Sequence, residues 1–207
     1  MARGRLITIE GLDGAGKSTL ADALRGEIAA RGLRAELLRE PGGVELSERI
    51  RALVKDPSLA VSPRAEALLY AAARAQLVAE RLEPLLDEGA VVLLDRFVDS
   101  SLAYQGAGRS LGVEQVRAIN LFATGPLEPD RTLLLRISPE GGRARQRERA
   151  LAPDRLEREG EGFFGAIASA YDDLARDEPG RLRVIDAEQP PEQVLREALA
   201  AIEDLLS

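Results

Sequence analysis

The sequence predicts an α/β fold in which a five-stranded parallel sheet carries helices on both faces. Short apolar segments, rich in leucine and β-branched residues, predict strands at 6–10, 34–39, 91–94, 132–137 and 182–185. Stretches with apolar residues at helical spacing separate these strands, an alternation typical of right-handed crossovers in a parallel sheet. Ligands of such sheets bind beyond the carboxyl ends of the strands.

The composition limits the chemistry that this chain can perform. Its 207 residues suit one domain, and 45% hydrophobic with 30% charged residues is ordinary for a globular protein. It has no cysteine and no histidine, which excludes thiol chemistry, imidazole acid–base catalysis and histidine metal sites. The net charge of −7 argues against broad nucleic-acid binding. Without an N-terminal apolar leader or a long apolar run, we expect a cytoplasmic protein that does not insert into a membrane.

The first predicted strand leads into a glycine-rich loop that fits the pattern G-x-x-x-x-G-K-[ST]. In such a loop the glycines let consecutive N–H groups point at a phosphate, and the following helix adds its positive dipole end. Lys17 would place a charge on the β- and γ-phosphates, and the Ser18 hydroxyl would bind Mg²⁺. Only two of the 28 lysine and arginine residues are lysines, Lys17 and Lys55, so an incidental lysine here is improbable on composition. The predicted ATP-binding residues are Gly11, Leu12, Asp13, Gly14, Ala15, Gly16, Lys17, Ser18 and Thr19.

The remaining elements follow in order along the chain. The second strand runs into Glu40-Pro-Gly-Gly, and helical spacing predicts helices at 44–54, from about 65 to 86, and at 113–123. Gly89 would end the long helix. A further helix is predicted around 163–175, and the last one begins at the prolines 190–191 and runs to residue 206.

A second group of functional residues follows the third strand, in the run Asp-Arg-Phe-Val-Asp-Ser-Ser-Leu-Ala-Tyr-Gln that starts at Asp95. An aspartate at such a strand end can hold Mg²⁺ directly or through water, and Arg96 would then face an anionic group of the substrate. The alternative interpretation is a structural salt bridge at a strand end. The glycine loop, Arg39-Glu40 and Asp95-Arg96 would all meet in one crevice.

These residues resemble the thymidylate kinase family. The run that starts at Asp95 is similar to the family signature D-R-F-x-x-S-S-x-A-Y-Q, and residues 39–43, Arg-Glu-Pro-Gly-Gly, resemble the R-E-P-G-G of bacterial members. Residues 66–76 resemble their long helix, and residues 185–187 resemble their adenine-side loop. The resemblance covers the whole chain and implies one P-loop nucleoside monophosphate kinase domain, 1–207, with a short lid at about 140–156. It implies transfer of phosphate from ATP to dTMP with Mg²⁺, and a homodimer.

The resemblance also implies a dTMP site, in which the phosphate, the sugar and the base each have contacts. Its predicted members are Asp13, Arg51 and Arg96 at the phosphate, Glu40 in the same pocket, Tyr104 at the ribose, and Tyr70, Arg74, Ser101 and Gln105 at the base. Tyr70 and Arg74 are four residues apart and so share one helix face. Ser101 and Gln105 have the same spacing. Core packing is the alternative for Tyr70, and a structural ion pair is the alternative for Arg74. Tyr171 corresponds to a family tyrosine near the sugar, with plain helix packing as the alternative.

Clustered arginines between residues 143 and 158 resemble the lid of the family. Members whose glycine loop has no basic residue before the lysine, as here, place a catalytic arginine in the lid. The pattern Gly142-x-x-Arg145-x-x-x-Arg149 points to Arg149, with Arg145 as its rival. An apparent one-residue insertion between Arg149 and Asp154 leaves open which of the two arginines is catalytic. The alternative for the cluster is a solvated basic helix. The predicted catalytic residues are Asp13, Lys17, Arg96, Arg149 and Arg145, and the predicted metal ligands are Ser18 and Asp95.

Two other functions fit parts of the same pattern. A deoxynucleoside kinase would use a carboxylate, Asp13 or Glu40, to accept the proton of a 5′-hydroxyl. A nucleotide switch or an assembly ATPase would hydrolyse ATP slowly and depend on a protein partner. The chain has no guanine-recognition motif, which argues against a GTPase.

Overall fold

The computed structural model describes residues 3–148 and 153–206, and its centre is a five-stranded sheet. The strands are β1 (Arg5–Gly11), β2 (Ala35–Arg39), β3 (Val91–Asp95), β4 (Arg131–Arg136) and β5 (Leu182–Asp186). Their order is β2-β3-β1-β4-β5, and every neighbouring pair is parallel. The five predicted strands and the predicted fold class are confirmed.

Helices fill the connections between the strands. They are α1 (Lys17–Ala30), α2 (Glu45–Lys55), α3 (Pro63–Leu77), α4 (Glu83–Asp87), α5 (Val98–Ser101), α6 (Val113–Thr124), α7 (Pro139–Glu148), α8 (Glu161–Asp177) and α9 (Pro191–Ile202). In the part of the chain that the structure describes, none of them is long and apolar enough to cross a lipid bilayer.

The predicted helices 44–54, 113–123 and 163–175 match α2, α6 and α8, but two others differ in detail. The long helix has a π-helical stretch, Val78–Leu82, between α3 and α4. Pro84 lies two residues after it and has no N–H for the regular ladder, which accounts for the shift in hydrogen bonding. The last helix ends at Ile202 and gives way to a 3₁₀ turn, so the prediction that it runs to residue 206 is wrong. The helical segment formed by α5 and the π-helical Leu102–Gly108 was not predicted.

The sheet is buried on both faces because helices pack against each of them, and alternate residues of its strands point to opposite faces. In β1, Ile7 packs in a cluster that contains Leu24 and Ile28 of α1. Its neighbour Leu6 packs instead in a second cluster with Leu82, which lies beyond α3. The strands are therefore held between helices, and their carboxyl ends are left at one edge.

The register of the strands brings three functional segments to that edge. Ile9 of β1 and Arg39 of β2 both pair with Asp95 of β3. The glycine loop that follows β1 and the segments after β2 and β3 consequently start side by side. This placement is what parallel strands require of their C-terminal connections.

We predict that Leu24→Ala destabilises the protein by about 2–5 kcal/mol, the range for a fully buried leucine. Leu24 anchors α1, and α1 begins at the glycine loop. The free energy of unfolding, measured in urea, tests this. Leu59→Ala, at an exposed leucine between α2 and α3, is the control and should change that free energy by less than ~0.5 kcal/mol. Equal losses for both variants would contradict the assignment of the core.

Candidate active site

A cavity of about 270 Å³ lies at the carboxyl edge of the sheet. Its walls bring together most of the residues predicted from the sequence. They are Asp13, Gly14, Gly16, Lys17, Ser18, Glu40, Arg51, Tyr70, Arg74, Asp95, Arg96, Ser101, Tyr104 and Gln105. The glycine loop therefore shares one space with the residues expected to bind an acceptor nucleotide.

The glycine loop has the backbone geometry of a phosphate cradle. Gly11, Gly14 and Gly16 have φ angles of +135°, +85° and +94°, which residues with a side chain rarely adopt. A Cβ on Gly14 would lie 2.3 Å from the carbonyl oxygen of Gly142 in α7. The loop thus needs glycine at this position both for its conformation and for close packing against α7.

Lys17 opens α1 and is folded back over the loop. Its Nζ donates to the carbonyl oxygens of Gly11 at 3.1 Å and Leu12 at 2.9 Å. The side chain is buried, and this burial, together with the charge of Arg96, lowers the pKa of Lys17 to about 8. The ammonium group is therefore poorly compensated until an anion enters the loop.

An ion pair joins the glycine loop to the segment after β3. Nη2 of Arg96 lies 2.6 Å from Oδ1 of Asp13, and the Tyr104 hydroxyl donates to Oδ2 of the same carboxylate at 3.0 Å. Burial would raise the pKa of Asp13, but the charges of Arg96 and Lys17 outweigh it and hold that pKa well below its usual range. Asp13 is ionised at neutral pH and can accept hydrogen bonds from a ligand.

Ser18 and Asp95 offer oxygen ligands of the type that Mg²⁺ prefers. The Ser18 hydroxyl donates to Oδ2 of Asp95 at 2.9 Å, and both residues line the cavity. Mg²⁺ is commonly held by one or two protein oxygens together with water and substrate phosphates. This donor set fits such an ion at the mouth of the glycine loop.

Arg74 and Glu40 form a buried ion pair in the cavity wall. Nη2 and Nε of Arg74 lie 2.6 and 2.7 Å from Oε2 of Glu40, and Nη1 donates to Ser101 at 3.0 Å and to Asn120. Nη2 also donates to the carbonyl oxygen of Phe97. Every nitrogen of the guanidinium thus contacts a protein acceptor, the arrangement expected of a structural ion pair.

The other oxygen of Glu40, Oε1, is buried and has no hydrogen-bond partner in the described residues. Burial raises the pKa of Glu40 to about 7, although the charge of Arg74 opposes the shift. The carboxyl group therefore keeps one oxygen free for a ligand.

The remaining predicted acceptor residues lie around this pair. The Tyr70 ring is part of the wall, and burial raises the pKa of its hydroxyl. Arg51 of α2 donates to the carbonyl oxygen of Pro41 at 2.8 Å and also faces the cavity. Gln105 donates to Glu66 of α3 at 2.9 Å. Among the described residues the wall therefore combines four arginines, two tyrosine rings and an amide, the groups a nucleoside monophosphate needs.

The model of the thymidylate kinase family matches residues 9–198 of the chain. The chain belongs to this family. A thymidylate kinase of Alkalilimnicola ehrlichii is 47% identical over 207 residues, covering 97% of this chain and 94% of that protein. One of Oenococcus oeni is 47% identical over 213 residues, with 100% and 98% covered. The crystal structure of thymidylate kinase from Ehrlichia chaffeensis superposes with a TM-score of 0.81 at 24% identity, covering 97% and 99%, which supports the fold.

Thymidylate kinases transfer phosphate from ATP to dTMP, and the resemblance inferred from the signature motifs is confirmed. Other predicted residues are either not part of the cavity wall or not among the described residues. Arg145 donates to the carbonyl oxygen of Ala187, after β5, and Arg149 lies outside the described residues. Gly11 and Leu12 line a second cavity, of about 290 Å³, on the side of β4 and α8. Ala15 and Thr19 line neither cavity.

Two residues that help to hold Arg96 in place, Glu10 and Ser100, were not predicted from the sequence. Glu10, the penultimate residue of β1, is fully buried and accepts hydrogen bonds from the backbone N–H groups of Phe97 and Ser100. The Ser100 and Tyr171 hydroxyls also donate to Glu10, and Ser100 in turn accepts from Nη1 of Arg96. A carboxylate at the end of an otherwise apolar strand is the signal that could have identified Glu10.

Lys55 was also missed, although it is one of only two lysines in the chain. Its Nζ lies 2.8 Å from Oδ2 of Asp154, and both residues line the cavity. The scarcity of lysine, which singled out Lys17 as a functional residue, would have singled out Lys55 in the same way.

We predict that ATP binding takes up protons between about pH 8 and 9. Lys17 is partly deprotonated there in the free protein, and the phosphates of ATP raise its pKa again. Calorimetry in buffers of different ionisation enthalpy measures this uptake, and Lys17→Met is the control that should lack it. An uptake unchanged in Lys17→Met would contradict the assignment to Lys17.

Proposed function

We infer that this chain transfers the γ-phosphate of ATP to the 5′-phosphate of dTMP and forms ADP and dTDP. The contact between Asp13 and Arg96 carries the proposal, because it joins the predicted ATP loop to the predicted acceptor site across 2.6 Å. The donor and the acceptor would meet at this point. A cytoplasmic location is part of the proposal, since both nucleotides belong to that compartment.

The proposed reaction depends on positioning and charge rather than on a general base. An oxygen of the dTMP phosphate is already ionised and attacks the γ-phosphorus in line, while the bond to the ADP oxygen breaks. Lys17 would stabilise the charge on the phosphates of ATP, and Arg96 would hold the attacking phosphate. Mg²⁺, bound at Ser18 and Asp95, would supply charge neutralisation at the β- and γ-phosphates. A chain without histidine can carry out this chemistry.

The proposed acceptor contacts follow the cavity wall. Arg51 would join Arg96 at the phosphate, Tyr104 would meet the ribose, and the Tyr70 ring would stack on thymine. The nitrogens of Arg74 already donate to protein acceptors. We therefore expect Arg74 to orient Glu40 and Ser101 towards the base rather than to contact the base directly.

The proposal includes a lid at about 140–156 within a single domain. Its first part is α7, whose Gly142 packs against the glycine loop. Arg149, with Arg145 as the rival, would stabilise the transferring phosphoryl group when the lid closes. A planar guanidinium suits that role better than an ammonium group.

We predict that ADP release from ATP depends on dTMP and on Mg²⁺. A panel of dTMP, dUMP, dCMP, dGMP, thymidine and no acceptor should give the highest turnover with dTMP. Thymidine should be at least about a hundredfold poorer in kcat/KM, because it lacks the phosphate that two arginines would bind. Higher activity with thymidine would favour a deoxynucleoside kinase, and equal release without any acceptor would favour a switch or assembly ATPase.

The proposed homodimer has a candidate surface. Large apolar side chains are exposed on α2, α3 and α6, which pack one on the next. They are Leu46, Leu53, Leu68, Leu121 and Phe122. Phe122 is 95% exposed, and an apolar area of this kind typically marks an interface. A second copy of this chain would cover it.

We predict that Phe122→Glu converts a dimer into a monomer, because it places a charge within the apolar contact. Light scattering coupled to size exclusion gives the mass directly. Leu59→Glu adds the same charge at an exposed leucine outside these helices and is expected to leave the dimer intact. A monomeric wild type, or a dimer that survives Phe122→Glu, would contradict the proposal.

A further inference from the structure

A short segment that follows the first part of the lid lines the cavity next to the end of α2. We call residues 153–159, which overlap the end of the proposed lid, the roof segment. Asp154, Leu156 and Glu157 of this segment line the cavity, and Leu156 is buried. The roof segment precedes α8 and shares the cavity with Tyr70 and Gln105 of the predicted base pocket.

The roof segment is fastened to the end of α2. Arg155 donates from Nε to the carbonyl oxygen of Val54 at 2.9 Å and from its backbone N–H to that of Lys55 at 3.3 Å. Carbonyl groups at the end of a helix lack partners within the helix, so Arg155 satisfies two of them. Lys55 adds an ion pair with Asp154 at 2.8 Å.

The second attachment of the roof segment is Glu66, in the first turn of α3. The Glu66 side chain is 0% exposed, and Nη2 of Arg155 lies 2.7 Å from its Oε2. Arg109, beyond α5, contacts the same oxygen at 3.1 Å and also pairs with Glu159 of the roof segment at 2.5 Å. The other oxygen of Glu66 accepts from Gln105 at 2.9 Å.

Glu66 does not line the cavity, but both of its oxygens are committed to groups that surround it. A fully buried carboxylate is costly unless cations and hydrogen bonds compensate it. If the roof segment lifts, Glu66 loses Arg155, one of its two cationic partners. The buried charge therefore favours the closed roof, and the same carboxylate fixes the orientation of the Gln105 amide.

We propose that Glu66 is a positioning residue that couples the acceptor base pocket to closure of the roof segment. An acceptor that orders Gln105 also orders Glu66, and Glu66 then holds Arg155 and the roof down. The inference deepens the proposed function, since it treats the cavity as the acceptor site, and it adds the group that links acceptor binding to closure.

Closure of the roof also decides whether water can compete with the acceptor. In the competing reaction a water oxygen bonds to the γ-phosphorus as the bond to the ADP oxygen breaks. The water protons pass to phosphate and solvent, and ADP and inorganic phosphate are released. A site that excludes water suppresses this hydrolysis. An enzyme with a loose roof should therefore form more phosphate for each dTDP.

The experiment compares Glu66→Gln, Arg155→Met and the double variant. Arg131→Met is the matched control. Arg131 is as well buried as Arg155, at 8% against 12% exposure, and pairs with Asp204, but it begins β4 at the opposite edge of the sheet. For each protein we would measure the KM for dTMP, the KM for ATP, and the ratio of inorganic phosphate to dTDP formed.

Glu66→Gln and Arg155→Met should each raise the KM for dTMP and the phosphate-to-dTDP ratio about tenfold, the scale of one lost charge-assisted hydrogen bond. The KM for ATP should change less than about twofold, and the double variant should be little worse than either single one, since both break one linkage. Arg131→Met should lower stability without changing the ratio. If Glu66→Gln does not fold, Arg155→Met alone carries the test.

The inference is overturned if the ratio stays at the wild-type value in Arg155→Met, or if the KM values for dTMP and ATP rise together. It is also overturned if Arg131→Met raises the ratio as much, because the effect would then reflect lost stability. If the wild-type enzyme phosphorylates dTMP but the variants keep the wild-type ratio of phosphate to dTDP, only the role of Glu66 is contradicted. If the wild-type enzyme does not phosphorylate dTMP, the proposed function itself is contradicted.

Discussion

The ion pair between Asp13 and Arg96 is the interaction on which the rest of the site depends. Asp13 lies in the loop after β1, and Arg96 follows β3, the strand paired with β1. Arg96 has a φ of +72°, and its backbone N–H donates to Ile9 of β1 at 3.0 Å. A residue other than glycine keeps this conformation only when its surroundings fix it. Parallel pairing of the two strands supplies that constraint and aims the guanidinium at the glycine loop.

Three buried carboxylates hold arginines in the cavity wall and directly behind it. Glu10 reaches Arg96 through the Ser100 hydroxyl, Glu40 pairs with Arg74, and Glu66 pairs with Arg109 and Arg155. An unpaired charge is expensive inside a protein, so each arginine is confined to the direction of its carboxylate. Cations fixed in this way lose little conformational freedom when an anionic ligand arrives, which favours tight positioning of phosphates.

Lys17 is held differently from these arginines, and the difference has a functional meaning. Its ammonium group donates to backbone carbonyl oxygens, and the Asp13 carboxylate stands 4.0 Å away, already paired with Arg96. The lowered pKa of Lys17 reflects burial that this arrangement does not offset. An entering phosphate would supply the missing charge, so the loop is complementary to its ligand rather than to itself.

The sequence by itself determined the strands, the glycine loop and the family. Each of these depends on residues that are close along the chain. Apolar β-branched runs predict buried strands, and the spacing of Gly11, Gly16 and Lys17 is set by the backbone of one loop. The order of strands and helices then places the ends of β1, β2 and β3 at one edge, which is why the residues at those ends were predicted to meet.

Only the tertiary structure decided the partners of the charged residues. Arg74 is 34 residues from Glu40 and 46 from Asn120, and the spacing along α3 that suggested a direct contact with a base could not reveal either partner. Glu66 likewise meets Arg155 across 89 residues. A buried charge takes whichever opposite charge the packing of distant helices brings within reach, and that packing follows from the filling of the whole core rather than from any local pattern.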